Sequence, residues 1–197
     1  AIADEFKRYS EVLNGNVLFE DEKEDFTNIM LQKADLSTYN TSLKLLSKCL
    51  KRYYKENVII LIDEYDVPLE NSFFEGFYDE MVKFLSSLFE SALKTNPSLE
   101  FAVITGCLRI SKESIFTGMN NLEIVSILNK SYEEYFGFTN AEITKICKDY
   151  DINDKYLEIK EWYSGYVFGE TNVYNPWSVI HYIDDLKTNI NKYSLSY

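Results

Sequence analysis

Apolar positions along the chain follow two different periods. At residues 58–62 they are consecutive, Val-Ile-Ile-Leu-Ile, and they end abruptly in Asp63-Glu64-Tyr65-Asp66. Five β-branched or leucine side chains without alternation predict a strand covered on both faces, the habit of parallel sheets flanked by helices. A second short run, Phe101-Ala102-Val103-Ile104-Thr105, ends at Gly106. Between them the period changes. Met81, Val82, Phe84, Leu85, Leu88, Phe89, Ala92 and Leu93 share one face of a helix expected over residues 79–94, and Lys83, Ser86, Ser87, Glu90 and Ser91 fill the other. Asn96-Pro97-Ser98 stops it. Strand, helix and strand make a βαβ unit. The crossover makes the strands parallel, so their carboxyl ends share one edge about 4.8 Å apart. Asp63 and Glu64 are expected to face Thr105, with Arg109 close by, at the edge where ligands of such sheets gather.

On the amino side, Ile2, Phe6, Tyr9, Val12 and Leu13 have helical spacing until Asn14-Gly15-Asn16 interrupts it. A second helix, acidic at its start, is expected over 20–33. Asn40-Thr41-Ser42 reads as a capping cluster for a helix whose buried face is Leu43, Leu46, Cys49, Leu50 and Tyr53. Pro68 opens what reads as a loop rich in aromatics, Phe73, Phe74, Phe77 and Tyr78. Past Gly106 a polar loop with a short helix and a weak third strand over 122–128 are expected. Thr139-Asn-Ala-Glu142 is a capping box, with Ile143, Ile146, Cys147 and Tyr150 behind it. A helix over 154–163, a hairpin over 165–174 and a last helix from Asn175-Pro176 to residue 186 complete the pattern, before a polar, frayed tail. The expected organisation is an α/β domain over 1–137 and a small helical, winged-helix-like appendage with a hairpin over 138–197. Trp162 and Trp177 are expected to pin that appendage against the main sheet.

Composition narrows the function classes. A hydrophobic content of 46% with three prolines describes a packed globule with little linker. The net charge of −12 disfavours nucleic acid, whose affinity comes from Lys and Arg neutralising phosphates. Cys49, Cys107 and Cys147 are odd in number, widely spaced and set in apolar patterns, so reduced core thiols are expected rather than disulfides or a zinc site. No run approaches a membrane span and no leader pattern opens the chain, which makes the cytoplasm the expected location. The sixteen tyrosines and thirteen phenylalanines lack interleaved basic residues and read as core and interface bulk, not as a stacking platform for bases. His181, between Ile180 and Tyr182 with no second histidine in the chain, reads as a helix-face packing residue.

An apolar strand ending in Asp-Glu suits nucleoside-triphosphate chemistry: the Asp holds the water shell of Mg²⁺ and the Glu polarises the attacking water. Acids at strand ends also simply cap the next turn, and the pattern alone does not choose. Thr105 at the neighbouring tip adds a hydroxyl donor, and Arg109 a cation able to offset phosphoryl charge. For Arg109 the alternative is an ion pair with Glu113. Asp63, Glu64, Asp66 and Glu70 together raise a two-metal nuclease cluster, but no lysine follows at short strand spacing.

Four motifs in order, Leu-Ile-Asp-Glu-Tyr-Asp-Val-Pro at 61–68, Phe-Ala-Val-Ile-Thr-Gly-Cys-Leu-Arg-Ile-Ser-Lys-Glu-Ser-Ile-Phe-Thr-Gly-Met-Asn-Asn at 101–121, Tyr-Phe-Gly-Phe-Thr at 135–139 and Glu-Trp-Tyr-Ser-Gly-Tyr-Val-Phe-Gly at 161–169, resemble the bacterial AAA-ATPase-like family. Its members are P-loop proteins often fused to a nuclease-like domain of the PD-(D/E)XK type. The resemblance implies that Asp63 and Glu64 are the Walker B pair, that Thr105 lies at the sensor 1 position and that Arg109 senses the γ-phosphate. It implies ATP and Mg²⁺ as ligands of the intact parent. Family members begin with a phosphate loop containing Gly-Lys followed by Ser or Thr, and these 197 residues contain no Gly-Lys pair. Without that lysine and its loop amides, nucleotide affinity is expected to be weak or absent. The family's first strand, normally beside the Thr105 strand, is also missing, so a truncated module is expected. Its open sheet edge would be covered by a helix, a loop or a second chain. The alternative expectation is a non-catalytic interaction module that keeps the fold.

Overall fold

A computed structural model describes residues 1–107, 115–116, 118–119 and 122–194, the last six of these by backbone alone. The protein is of mixed α/β composition and divides into two compact units, Ala1–Leu122 and Glu123–Tyr197.

The first unit contains helices α1 (Ile2–Arg8), α2 (Glu20–Met30), α3 (Leu36–Asn40), α4 (Ser42–Tyr54), α5 (Val67–Glu75) and α6 (Tyr78–Leu93), and strands β1 (Val58–Ile62) and β2 (Leu99–Ile104). The strands pair in parallel, with Ile59 opposite Phe101, Ile60 opposite Ala102, Leu61 opposite Val103 and Ile62 opposite Ile104. The expected βαβ unit is therefore present, closed by the crossover through α5 and α6. One face of the pair packs on α6: Ile60 joins Leu85, Leu88, Phe89, Ala92 and Leu93, with Leu69, Ile115 and Met119 completing the core. A second core, Phe6, Val12, Leu18, Phe26, Ile29, Leu46, Cys49 and Leu50, joins α1, α2 and α4.

The other face of the pair departs from expectation. Ile59, Leu61, Phe101 and Val103 are 59%, 73%, 60% and 39% exposed. Among the described residues nothing covers them, so the strands are buried on one face rather than two.

Local chemistry accounts for other differences. The aromatic segment after Asp66 is helical, because Pro68 in its first turn is pre-set for a helix and Gly76, at φ 85°, closes it in the left-handed region. The Asn40-Thr41-Ser42 cluster does not cap α4. Thr41 and Ser42 hydroxyls donate backward to the carbonyls of Thr38 and Tyr39, and the working cap is Asp35, whose Oδ1 accepts from Thr38 N–H at 2.8 Å to start α3. Residues 122–126 form no strand, and the last helix runs on to Ser194. Cys49 and Cys147 are buried, but Cys107 is exposed and is no core thiol. No described helix is long and apolar enough to cross a membrane.

The second unit holds α7 (Asn140–Asp149), α8 (Tyr156–Tyr163), α9 (Pro176–Ser194) and an antiparallel hairpin of β3 (Ser164–Phe168) and β4 (Thr171–Tyr174). The capping box at α7 is formed: Thr139 Oγ1 accepts from Glu142 N–H at 3.3 Å, and Glu142 Oε2 accepts from Thr139 N–H at 2.8 Å. Ile143, Cys147, Ile152, Ile159, Tyr174, Val179 and Ile183 make the core. Residues 123–137 pack with this unit. Glu133 accepts from Glu170 N–H at 2.7 Å and from the Thr171 hydroxyl at 2.9 Å.

Glu22 is the main buried ion of the first unit. Lys48 and Arg52, one turn apart on α4, pair with its two carboxylate oxygens, and Phe19 N–H donates to it at 3.0 Å. The Arg52 guanidinium also lies 4.6 Å from the centre of the Phe19 ring. Burial works to raise the Glu22 pKa. The Lys48 and Phe19 hydrogen bonds and the two positive charges outweigh it, and the carboxyl is held below the usual range. A depressed folded-state pKa stabilises fully above the unfolded value of about 4.3, and that stability is lost as pH falls through the folded value. Glu22→Gln is therefore expected to cost about 2 kcal/mol at pH 7. The gap from wild type, read from urea midpoints, should shrink steadily below about pH 4; a gap independent of pH would contradict this ion-pair account.

Candidate functional site

The carboxyl ends of β1 and β2 stay paired one residue beyond the strands. Thr105 N–H donates to the Ile62 carbonyl at 2.8 Å, and Tyr65 N–H donates to the Thr105 carbonyl at 3.1 Å. These two bonds set Asp63 directly across from Thr105. The Thr105 hydroxyl donates to Asp63 Oδ1, and the same oxygen accepts from Glu64 N–H at 3.0 Å. Asp63 Oδ2 has no hydrogen-bond partner among the described residues. Both acids are exposed and Thr105 is half-buried.

Glu64 occupies the left-handed region at φ 54°. That conformation costs a residue with a Cβ about 1–2 kcal/mol. The Asp63 carboxylate on its N–H and the pairing of Tyr65 hold it there. The chain then turns, with Val67 N–H donating to the Glu64 carbonyl at 3.2 Å, and enters α5. A carboxylate that would have followed the pleat is redirected by this turn.

Two residues stand behind the edge: Tyr65, which no sequence pattern singled out, and Asp66, which the sequence offered only as a possible metal ligand. Tyr65 stands edge-on to Phe116, ring centres 5.4 Å apart, and Phe116 is stacked on Phe89 of α6 at 6.0 Å. Asp66 is 5% exposed. Gly106 lets both approach, because a Cβ there would lie 2.6 Å from Tyr65 Cε1 and 2.7 Å from Asp66 Oδ1. The only signal in the sequence is a glycine directly after an apolar run, which reads equally well as a strand terminator.

Of the residues singled out by sequence, Asp63 and Thr105 are brought into contact and Glu64 stands beside them. Arg109 lies outside the described residues, as does Glu113. Asp63, Glu64, Asp66 and Glu70 do not form a metal cluster; among the described residues no three His, Cys, Asp or Glu side chains gather to hold an ion.

Residues 2–116 match the family model described as AAA-ATPase-like, predicted AAA-ATPase. A protein of Azotobacter chroococcum mcd 1, described as an uncharacterized protein in the vnfD 5' region, is 30% identical over 126 residues, which is 64% of this chain and 24% of that protein. The chain thus spans about a quarter of that relative's length. No solved structure matches it. The matched residues include Asp63, Glu64, Thr105 and Arg109.

Gly106→Ala is expected to displace Tyr65 or Asp66 and to lower stability by about 1–3 kcal/mol, the usual range for overpacking. Denaturant melts with Gly106→Ala and Thr105→Val side by side check this. The valine variant, losing one hydrogen bond at a half-buried position, should cost about 1 kcal/mol or less, and a Gly106→Ala loss no larger than that would refute the crowding.

Proposed function

The chain belongs to the family of predicted AAA-ATPases, and on that basis we propose that it carries the Walker B and sensor portion of an ATP-dependent regulatory module. ATP binding and hydrolysis belong to the intact protein and are weak or absent in these 197 residues alone. Asp63 holds hydrated Mg²⁺, Glu64 is the water-polarising carboxylate, Thr105 is the sensor hydroxyl, and Arg109 answers the γ-phosphate.

The observation that carries this proposal is the Asp63–Thr105 contact across the carboxyl end of two parallel strands. A terminal contact of that kind puts an acid and a hydroxyl donor where ligands of parallel sheets collect. The donor set suits Mg²⁺ held through its water shell, which needs one or two carboxylates and takes its other ligands from phosphate and water. Among the described residues Asp63 keeps one oxygen open and no all-protein cage competes. The triphosphate itself is not provided for, since the sequence has no Gly-Lys pair to cradle it.

A second reading, a non-catalytic interaction module, draws on different observations. The apolar sheet face of Ile59, Leu61, Phe101 and Val103 is uncovered, and Phe73, Phe74 and Phe77 on and after α5 are exposed as well. A protein partner or a second copy of the chain would cover such surface.

Nucleotide binding separates the two. Calorimetric titration of this chain with Mg-ATP is expected to show at most low-millimolar affinity, removed by Asp63→Ala. In a longer polypeptide that contains a phosphate loop, Glu64→Gln should retain bound ATP and stop turnover. Undiminished hydrolysis by that variant would sink the Walker B assignment.

A further inference from the structure

The second unit contains an open cleft of about 400 Å³ between the end of α8, strand β3 and the start of α9, lined by Trp162, Tyr163, Gly165, Tyr166, Asn175 and Ser178. It lies wholly outside the residues that match the ATPase family. Trp162 is 74% exposed, and Trp177, in the first turn of α9, is 70% exposed. Neither is buried. Trp177 rests instead on His181, ring centres 4.0 Å apart.

The cleft combines rigid amphipathic rings with Gly, Asn and Ser, the side-chain mixture of surfaces that recognise polypeptides. Its polar groups have a direction. Asn175 Oδ1 is engaged by Ser178 N–H at 3.1 Å, which leaves the Asn175 amide as a donor toward a ligand carbonyl. Gly165 leaves the lining open, since a Cβ there would meet nothing within 4 Å. An open trough suits an elongated ligand. A polyproline II segment meets these conditions, because it makes no internal hydrogen bonds, presents its carbonyls outward and docks in aromatic-lined grooves. Charge selects its flanks. Residues 123–197 carry twelve Asp and Glu against seven Lys and no Arg, and exposed Glu161 adjoins Trp162.

We propose that this cleft binds a proline-rich peptide segment flanked by arginine or lysine, held on the faces of Trp162 and Tyr166 and by the Asn175 amide. The site is independent of the nucleotide proposal and stands or falls without it.

Both tryptophans of the chain are at or beside the cleft, so indole emission reports on this region alone. The full chain is titrated with a synthetic peptide of eight prolines carrying two arginines at each end. A saturable change in emission with a midpoint below about 1 mM is expected, a weak but specific affinity. Binding followed by calorimetry should fall about tenfold or more in Trp162→Ala, as for loss of an aromatic hot spot. Gly165→Leu, whose Cβ would meet nothing within 4 Å and whose longer side chain would occupy the cleft, should do the same with an unchanged urea midpoint. Replacing the arginines by glutamates should also weaken binding. No saturation at several millimolar, affinity untouched by both variants, or equal affinity for a glycine-serine peptide with the same arginines would each overturn the proposal; the last would reduce it to charge attraction.

Discussion

Parallel pairing between β1 and β2 fixes the position of the chemically interesting side chains of the first unit. Because side chains alternate along a strand, a one-residue slip would exchange the packed set, Ile60 with Ala102, for the open set, Leu61 with Val103. It would also break the contact of Asp63 with Thr105. The register is held at its far end by two backbone bonds beyond the strands and on its packed face by α6. The Asp63–Thr105 contact is thus a consequence of backbone geometry, and the α6 core beneath it supplies the rigidity.

Each unit also uses one carboxylate to tie together segments distant in sequence. Glu22 takes the amide ahead of its own helix and two cations from α4. Glu133 takes the Glu170 amide and the Thr171 hydroxyl, and the Glu170 amide foremost holds its carboxyl below the usual range. Burial separates the two. Glu22 is buried, so its partners are needed to offset lost hydration, whereas Glu133 is only half-buried and its bonds chiefly define the path of the 171–174 strand.

The sequence made the main architecture legible where short-range rules suffice. Period identified β1, β2 and α6, and the parallel pairing that a βαβ crossover imposes then put Asp63 and Glu64 on one edge with Thr105 without any distant information. The Thr139–Glu142 capping box was equally plain. What escaped depends on contacts between segments far apart. Gly106 matters only because Tyr65 and Asp66 come to it through the strand pairing. The left-handed φ of Glu64 is unusual for a glutamate and has no compositional cue. The aromatic stretch at 73–78 hid a helix because its apolar side chains face outward and blur the amphipathic period, although Pro68 and Gly76 marked its ends. The exposure of Trp162 and Trp177 was equally illegible, since large apolar side chains are ordinarily buried.

The uncovered face of β1 and β2 has a colloidal consequence. Among the described residues, two short parallel strands leave their outer edges unpaired and expose four apolar side chains, a surface suited to sticking to another copy of itself. The net charge of −12 opposes that association at long range. Such repulsion fades once the screening length shrinks from about 10 Å at 0.1 M salt to about 3 Å at 1 M. Electrolyte is therefore expected to act on this chain as a solubility control, setting how concentrated a solution can become before the greasy faces find one another.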